Sequence, residues 1–278
     1  MGIRIFFALV TLAVLGLAIG SLFYLLEKVE KPKVAAAREI KDTAPPKPID
    51  PGIREFEAAL DLTRNRQLVA ARDKLLYIIR YFPRSERQQV ARKLCSEINL
   101  DLLSSPNFAD GKVDYEVKRG DSLSGIAKKH ATTIEYLKRL NGMMDFKLLP
   151  GDHLLTRSLD FEVSVDTKRK VLLIQEDGKF FAEFPVLDIR LPGKLRPPFT
   201  ETIRSKHASA DQSPLSPTQL GYDLASKELR LSRRGLNIVG RKQADSEEQV
   251  VRPGIVMDPT DVEELTMLLP VSTPVYFL

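Results

Sequence analysis

Between Tyr115 and Arg157 the apolar residues fall in an order that few folds can accommodate. Tyr115 and Val117 alternate with Glu116 and Lys118, the period-two pattern of a short half-buried strand. Gly120-Asp121-Ser122 turns the chain, and Asp121 or Ser122 can cap a helix bearing Leu123, Ile126 and Ala127. Thr132 or Thr133 caps a second helix with Ile134, Leu137 and Leu140 on one face. Asn141-Gly142 ends it, supplying the left-handed residue that a helix C-terminus commonly takes. Pro150-Gly151 makes a turn, and His153 to Thr156 reads as a closing strand. The order is strand, helix, helix, strand in fewer than 50 residues.

With GDSL after the first strand, IA in the first helix, L..LN in the second and PGD.L before the last, this stretch resembles a LysM module. The resemblance implies a ligand, the N-acetylglucosamine units of peptidoglycan or chitin. It also implies a groove between the loop after the first strand and the loop before the last. On this chain those loops are Gly120, Asp121, Ser122 and Leu123 on one side, and Phe146, Lys147, Leu148, Pro150 and Gly151 on the other. Backbone groups left free at two helix ends can bond to an acetamide, and Leu123 or Leu148 can lie against its methyl group. A plainer reading stands beside this one, in which Asp121 and Ser122 cap a helix and Leu123 packs. A fragment of residues 110–160 is expected to fold alone.

Ile5 to Leu26 is an unbroken apolar run of 22 residues. As a helix at about 1.5 Å per residue it would cross a hydrocarbon core of roughly 30 Å. Ala18-Ile19-Gly20 could serve as a signal-peptide cleavage site, but the run continues past it, so an uncleaved transmembrane anchor is expected over 1–27. Only Arg4 precedes the span, whereas Lys28, Lys31, Lys33, Arg38 and Lys41 follow, which by the positive-inside rule favours a cytoplasmic body. A glycan ligand requires the opposite side. The ligand decides, giving a single-pass protein of the bacterial cytoplasmic membrane with its bulk outside. Residues 28–52 carry Pro32, Pro45, Pro46, Pro48 and Pro51 and read as a semi-rigid linker.

Residues 53–104 read as three helices, striped by Phe56, Ala59 and Leu60, then Leu68, Ala71, Leu75, Ile79 and Phe82, then Val90, Leu94, Ile98 and Leu102. The phrase AARDKLLYIIRYFP resembles a tetratricopeptide-type helix pair, but no second copy follows at the roughly 34-residue period of a repeat array. A small adaptor or stalk is the expectation. Cys95, the one cysteine, cannot make an internal disulfide and reads as a small buried hydrophobe. His130, His153 and His207 show no metal-ligand spacing with it, so no metal and no cofactor is expected. A net charge of +5 suits anionic polymers. With no tryptophan and no basic run interleaved with aromatics, nucleic-acid binding is not expected.

From Asp160 the pattern turns to strands: Phe161, Val163 and Val165 alternate, VLLIQ occupies 171–175 and FFAEFPV occupies 180–186. Residues 187–220, rich in Pro and Ser, read as loop. Further strands are expected at 229–240 and 249–257, then a helix capped by Asp258 and a last strand, VYFL. The phrases VDTKRKVLLIQEDGKFFAEFPV, GLNIVG and GIVMDPTDVEELTMLLPVSTPVYFL resemble the L,D-transpeptidases, the YkuD-type enzymes that cross-link peptidoglycan through a cysteine acyl-enzyme. Where that family has the histidine of Ile-His-Gly, this chain has Val239. Where it has Ser-His-Gly-Cys-Ile-Arg-Met, the chain runs from Val251 to Met257, with Gly254 in the cysteine position and Val256 in the arginine position. Covalent catalysis needs a nucleophile and a group to activate it. Glycine and valine supply neither, and Arg252, which could hold an anion, cannot act as a base. His207, Ser209 and Asp211 alternate within one loop, which is not how triad members come together.

The expected fold class is α+β multidomain: the transmembrane helix, the linker, a tetratricopeptide-like segment (53–104), a βααβ LysM module (113–157) and a mostly-β YkuD-like domain (160–278). The expected function is a membrane-anchored peptidoglycan-binding protein, a pseudoenzyme with no catalytic residues. Its expected partners are peptidoglycan glycan strands, the membrane and a cell-wall enzyme or envelope protein. Two alternatives are an active transpeptidase with a displaced nucleophile and an envelope assembly protein acting through its helical segment.

Overall fold

A computed structural model of the chain describes residues 16–17, 19–25, 50–144, 147–193, 195–210, 213–219, 221–241 and 253–278. Most of the apolar run at 5–26, and nearly all of the linker at 28–52, lie outside them. Within that run, residues 16–17 and 19–25 are helical. No helix among the described residues is long and apolar enough to cross a membrane. The nine described helical positions account for only about 14 Å of rise, against roughly 30 Å of hydrocarbon. The expected transmembrane helix, and the single-pass membrane localisation drawn from it, are corrected by this finding.

Residues 50–278 form one compact unit. It opens with three helices, α1 (Pro51–Arg64), α2 (Leu68–Tyr81) and α3 (Gln88–Ser104). Asp50 caps α1 by accepting from Gly52 N at 2.9 Å, and the same carboxylate accepts from Ser85 Oγ and Glu86 N at the α2–α3 turn. Gly52 is needed there, because a Cβ would meet Ser85 Oγ at 2.3 Å. Phe56, Ala59, Ala71, Leu75, Ile78, Ala91, Cys95, Ile98 and Leu102 make the core of this bundle. Two stripes thus centre one residue from the expected ones: Ile78, Ala91 and Cys95 are fully buried, while Ile79 and Leu94 pack half-buried against the same core. The small side chains of Ala91 and Cys95 on α3 are fully buried, and Val90 is left 49% exposed. Burial pushes the Cys95 thiol up to about 12, so it behaves as a hydrophobe.

The middle of the chain is β1 (Val113–Glu116), α4 (Leu123–Lys129), α5 (Ile134–Leu140) and β2 (His153–Thr156), with β1 and β2 antiparallel and Val113 opposite Thr156. The remainder builds a sheet from β3 (Phe161–Asp166), β4 (Val171–Glu176), β5 (Lys179–Pro185), β6 (Asp188–Arg190), β7 (Phe199–Ala210), β8 (Ser213–Leu215), β9 (Ser226–Leu231), β10 (Asn237–Gly240), β11 (Gly254–Met257) and β12 (Pro274–Phe277). Its order is β5-β4-β3-β12-β7-β9-β10-β11-β6, with β8 paired to β7. Pairs β3/β12 and β10/β11 are parallel. Helix α6 (Pro259–Leu268), capped by Asp258 as expected, buries Val262, Leu265 and Leu268 in the main core.

The expected loop at 187–220 instead holds β6, β7 and β8. The first half of the 12-residue β7 alternates, with Glu201 and Ile203 buried between exposed Thr200, Thr202 and Arg204, and past a register shift between Ile203 and Ser205 the strand buries Ala208. The prolines that suggested loop lie mostly in its flanks, at 192, 197, 198, 214 and 217.

The edge strand β5 is covered by α3. Asn99 Nδ2 donates to Phe181 O at 2.8 Å, Ser96 Oγ accepts from Glu183 N at 3.0 Å, and Arg92 pairs with Glu183 while lying over the Phe180 ring. Side chains of one helix thereby satisfy backbone groups that an open edge would leave bare.

Candidate functional site

The loops between β1 and α4, and between α5 and β2, are positioned by short-range polar contacts. Asp121 accepts from Tyr115 Oη at 2.7 Å and from Lys118 N at 2.8 Å, closing the turn through residues 118–121. The Lys118 amide, and after it the Tyr115 hydroxyl, hold the Asp121 carboxyl below its ordinary range. Ser122, not Asp121, caps α4, accepting from Gly125 N at 3.2 Å, and Leu123 is buried in the module's own core. Facing this loop, Asp152 Oδ2 accepts from Leu149 N at 2.8 Å and tightens the Pro150-Gly151 turn. Val117 then joins the two loops, donating to Asp152 O and accepting from Gly151 N, each at 2.8 Å.

Of the expected site residues, Asp121, Ser122 and Leu123 are thus engaged in building the loop. Gly120 (φ +91°) and Gly151 (φ +95°) sit at positive φ with open space where a side chain would point. That leaves backbone faces accessible to a ligand on both sides of the Val117 bridge. Lys147, Pro150 and Gly151 are exposed and Leu148 is half-buried against the module core. Phe146 lies outside the described residues. Tyr115, Val117 and Asp152 were missed as site-builders; the PGD phrase held Asp152 in plain view, and Tyr115 sits six residues before its partner.

Helix α5 carries the module into the rest of the molecule. Thr133 caps it through Tyr136 N at 3.0 Å and donates its own hydroxyl to Met267 O at 2.5 Å. Tyr136 is fully buried and donates to Leu103 O at 2.9 Å. Glu135 accepts from Tyr222 Oη at 2.6 Å beside the buried Lys206, and Arg139 pairs with Glu264 at 2.7 Å. Leu137 meanwhile packs inward against Leu123, Ile126 and Leu154. This helix is buried on two faces.

In the C-terminal domain, β10 and β11 run parallel with Val239 opposite Val256 and Asn237 opposite Gly254. A Cβ on Gly254 would stand 2.7 Å from Asn237 O, so the backbones are too close for a side chain at this position. Of the three alternating polar residues, His207 bonds to Ser205 Oγ at 3.0 Å on β7, Ser209 is exposed and Asp211 lies outside the described residues, as does Arg252.

Two solved L,D-transpeptidases illustrate the structural comparison. That of Stackebrandtia nassauensis is 17% identical, with 43% of this chain and 55% of that one covered and a TM-score of 0.32. An L,D-transpeptidase from Mycobacterium smegmatis is 12% identical, with 47% and 64% covered and a TM-score of 0.32. In sequence, the chain is 39% identical over 51 residues to the N-acetylmuramoyl-L-alanine amidase sle1 of Staphylococcus haemolyticus, and 50% identical over 40 residues to that of Staphylococcus saprophyticus. It spans only 16% and 12% of those relatives, and 18% and 14% of its own length is matched. The LysM domain family model matches residues 115–156, the strand-helix-helix-strand unit whose two loops meet at Val117. That segment of the chain is a LysM domain.

Proposed function

We propose that this is a cell-wall-associated, non-catalytic protein that holds N-acetylglucosamine-containing peptidoglycan strands in the paired loops of its LysM domain. The match at 115–156 carries this reading. Supporting it, Gly120 and Gly151 offer open backbone beside the half-buried Leu148, a combination suited to an acetamido group with one polar and one methyl end. The transpeptidase-like domain is read as silent, since Gly254, Val239 and Val256 occupy the positions of the family's nucleophile, histidine and arginine. Its place is structural, clamping α5 and α3 and so fixing the loops relative to a large rigid body.

The test is cosedimentation of the full chain with purified sacculi, challenged with soluble oligosaccharides. N-acetylglucosamine tetramer should displace the protein at micromolar to millimolar concentration, about −8 to −4 kcal/mol. Cellotetraose, which lacks the acetamido groups, should not. Absence of binding, or equal displacement by both sugars, would sink the proposal.

A further inference from the structure

A cavity of about 480 Å³ opens where α2, α3, the 105–112 connection and the β4–β5 turn meet, with Lys112 and Arg157 from the two ends of the LysM domain in its lining. Ligand pockets commonly span roughly 300–1,000 Å³. Leu76, Leu102, Phe108, Phe180 and Phe181 supply an apolar wall. At its polar end lie Lys112 and Arg157. Lys112 Nζ donates to Leu102 O at 3.0 Å and Phe108 O at 2.7 Å, two carbonyls that use two of its three N–H groups and none of its charge. Arg157 donates through Nη2 to Glu176 at 2.7 Å and through Nε to Asp110 O at 3.2 Å, while its buried Nη1 has no partner. Gly111, at φ +67°, lets the guanidinium lie against the backbone, since a Cβ there would meet Arg157 Nε at 3.1 Å.

Of these two neighbouring cations only Arg157 bonds a carboxylate, in a lining that sets Arg72, Lys112, Arg157 and Lys179 against Asp73, Asp110, Glu176 and Asp177. Burial, then Arg157, pushes the Lys112 ammonium down to about 8, with Asp110 opposing, and burial raises Glu176. Buried donors are seldom left without acceptors, and buried charge is seldom left without a counter-charge. What the geometry leaves open is a buried guanidinium nitrogen, Nη1, and the third N–H of Lys112, two donors that a pair of acceptor oxygens would satisfy. The acids at the rim, Asp73, Asp110 and Asp177, repel a multiply charged ligand such as phosphate, and the aromatic wall needs an apolar group to cover it. We propose that this cavity binds a small apolar carboxylate, of the class represented by the free carboxy end of a short peptide, between Lys112 and Arg157. The carboxylate takes the third N–H of Lys112 and partners Nη1, and the attached side chain lies against Phe108 and Phe181. This site is independent of the glycan reading.

The experiment is calorimetric titration of the full chain with N-acetyl-alanyl-alanine and with the same dipeptide as its C-terminal amide. The acid should bind at least about tenfold more tightly than the amide, and Lys112→Met should cost at least about tenfold in acid affinity without altering sacculus binding. The acid–amide comparison uses the unaltered protein, so it decides the matter even if Lys112→Met does not fold. Equal affinity for acid and amide, no binding of the acid at millimolar concentration, or full affinity in a folded Lys112→Met variant would each overturn the proposal.

Discussion

At Gly254, which the proposed reading sets in the place of a transpeptidase nucleophile, a close approach to Asn237 O excludes even a methyl group. Its φ is not in the left-handed region, so the constraint is contact, not backbone angle. Gly254→Cys should therefore be destabilised by about 1–3 kcal/mol, as for other overpacked sites. In a body of this size that corresponds to a fall in Tm of roughly 2–12 °C. The new thiol, buried on β11 and with no histidine at 239, would be a few per cent thiolate at most at neutral pH, since the ordinary value of about 8.5 is raised by burial. Intact mass after incubation with a carbapenem should show no adduct on Gly254→Cys or on the unaltered chain; an adduct on the unaltered chain at any residue refutes the silent-domain reading. At Asp121 the folded carboxyl titrates below its ordinary 3.8, so its hold on the 118–121 turn is present above that value and is lost as pH falls through the lower one. Sacculus binding should accordingly drop on acidification below pH of about 4, and Asp121→Asn should flatten that drop.

Among the elements, α5 is the one whose two buried faces decide how the LysM loops are presented. Tyr136→Phe removes the donor to Leu103 O and should cost about 1–3 kcal/mol through the orphaned carbonyl. Tyr136→Ala should cost about 3–5 kcal/mol through the cavity as well. Chemical denaturation measures both. Helix α6 carries the opposite kind of group. Burial, then Asp258 and Glu264, raises Asp261 from 3.8 to about 6 despite its place in the helix's first turn. A carboxyl with a raised folded pKa binds its proton more tightly in the folded state, so its stabilising share is present at low pH and declines as pH rises to about 6. Asp261→Asn should therefore raise Tm at pH 7.5 and leave it nearly unchanged at pH 3.5, as a thermal melt at each pH would show.

For the whole molecule, the coupling of the module to its neighbours changes the expectation for an excised fragment. Residues 110–160 alone would bare Tyr136 and Leu140, both nearly or fully buried in the main core, and lose the contacts of Thr133 and Arg139. Exposing each large side chain forfeits about 1.5–3 kcal/mol. The fragment should melt well below the 50–278 body, and hydrogen exchange should show α5 as its least protected helix; equal protection in both contexts would contradict a structural role for the docking. Sequence alone determined the LysM unit, the cap at Asp258, the choice of Asp121 or Ser122 and of Thr132 or Thr133 at the two module helices, and the strands with clean alternation. Each depends on hydrogen bonds or periodicities spanning a few residues, and those are written locally. Only the tertiary structure decided that Ile78 and Ala91 face the bundle core, that β7 is a strand, that α5 is buried twice, and that Gly254 abuts Asn237. The same holds for the meeting of Lys112 with Arg157, 45 residues apart in sequence. These are properties of surfaces brought together from distant parts of the chain, where the neighbour's shape and charge, not the local pattern, set what each residue does.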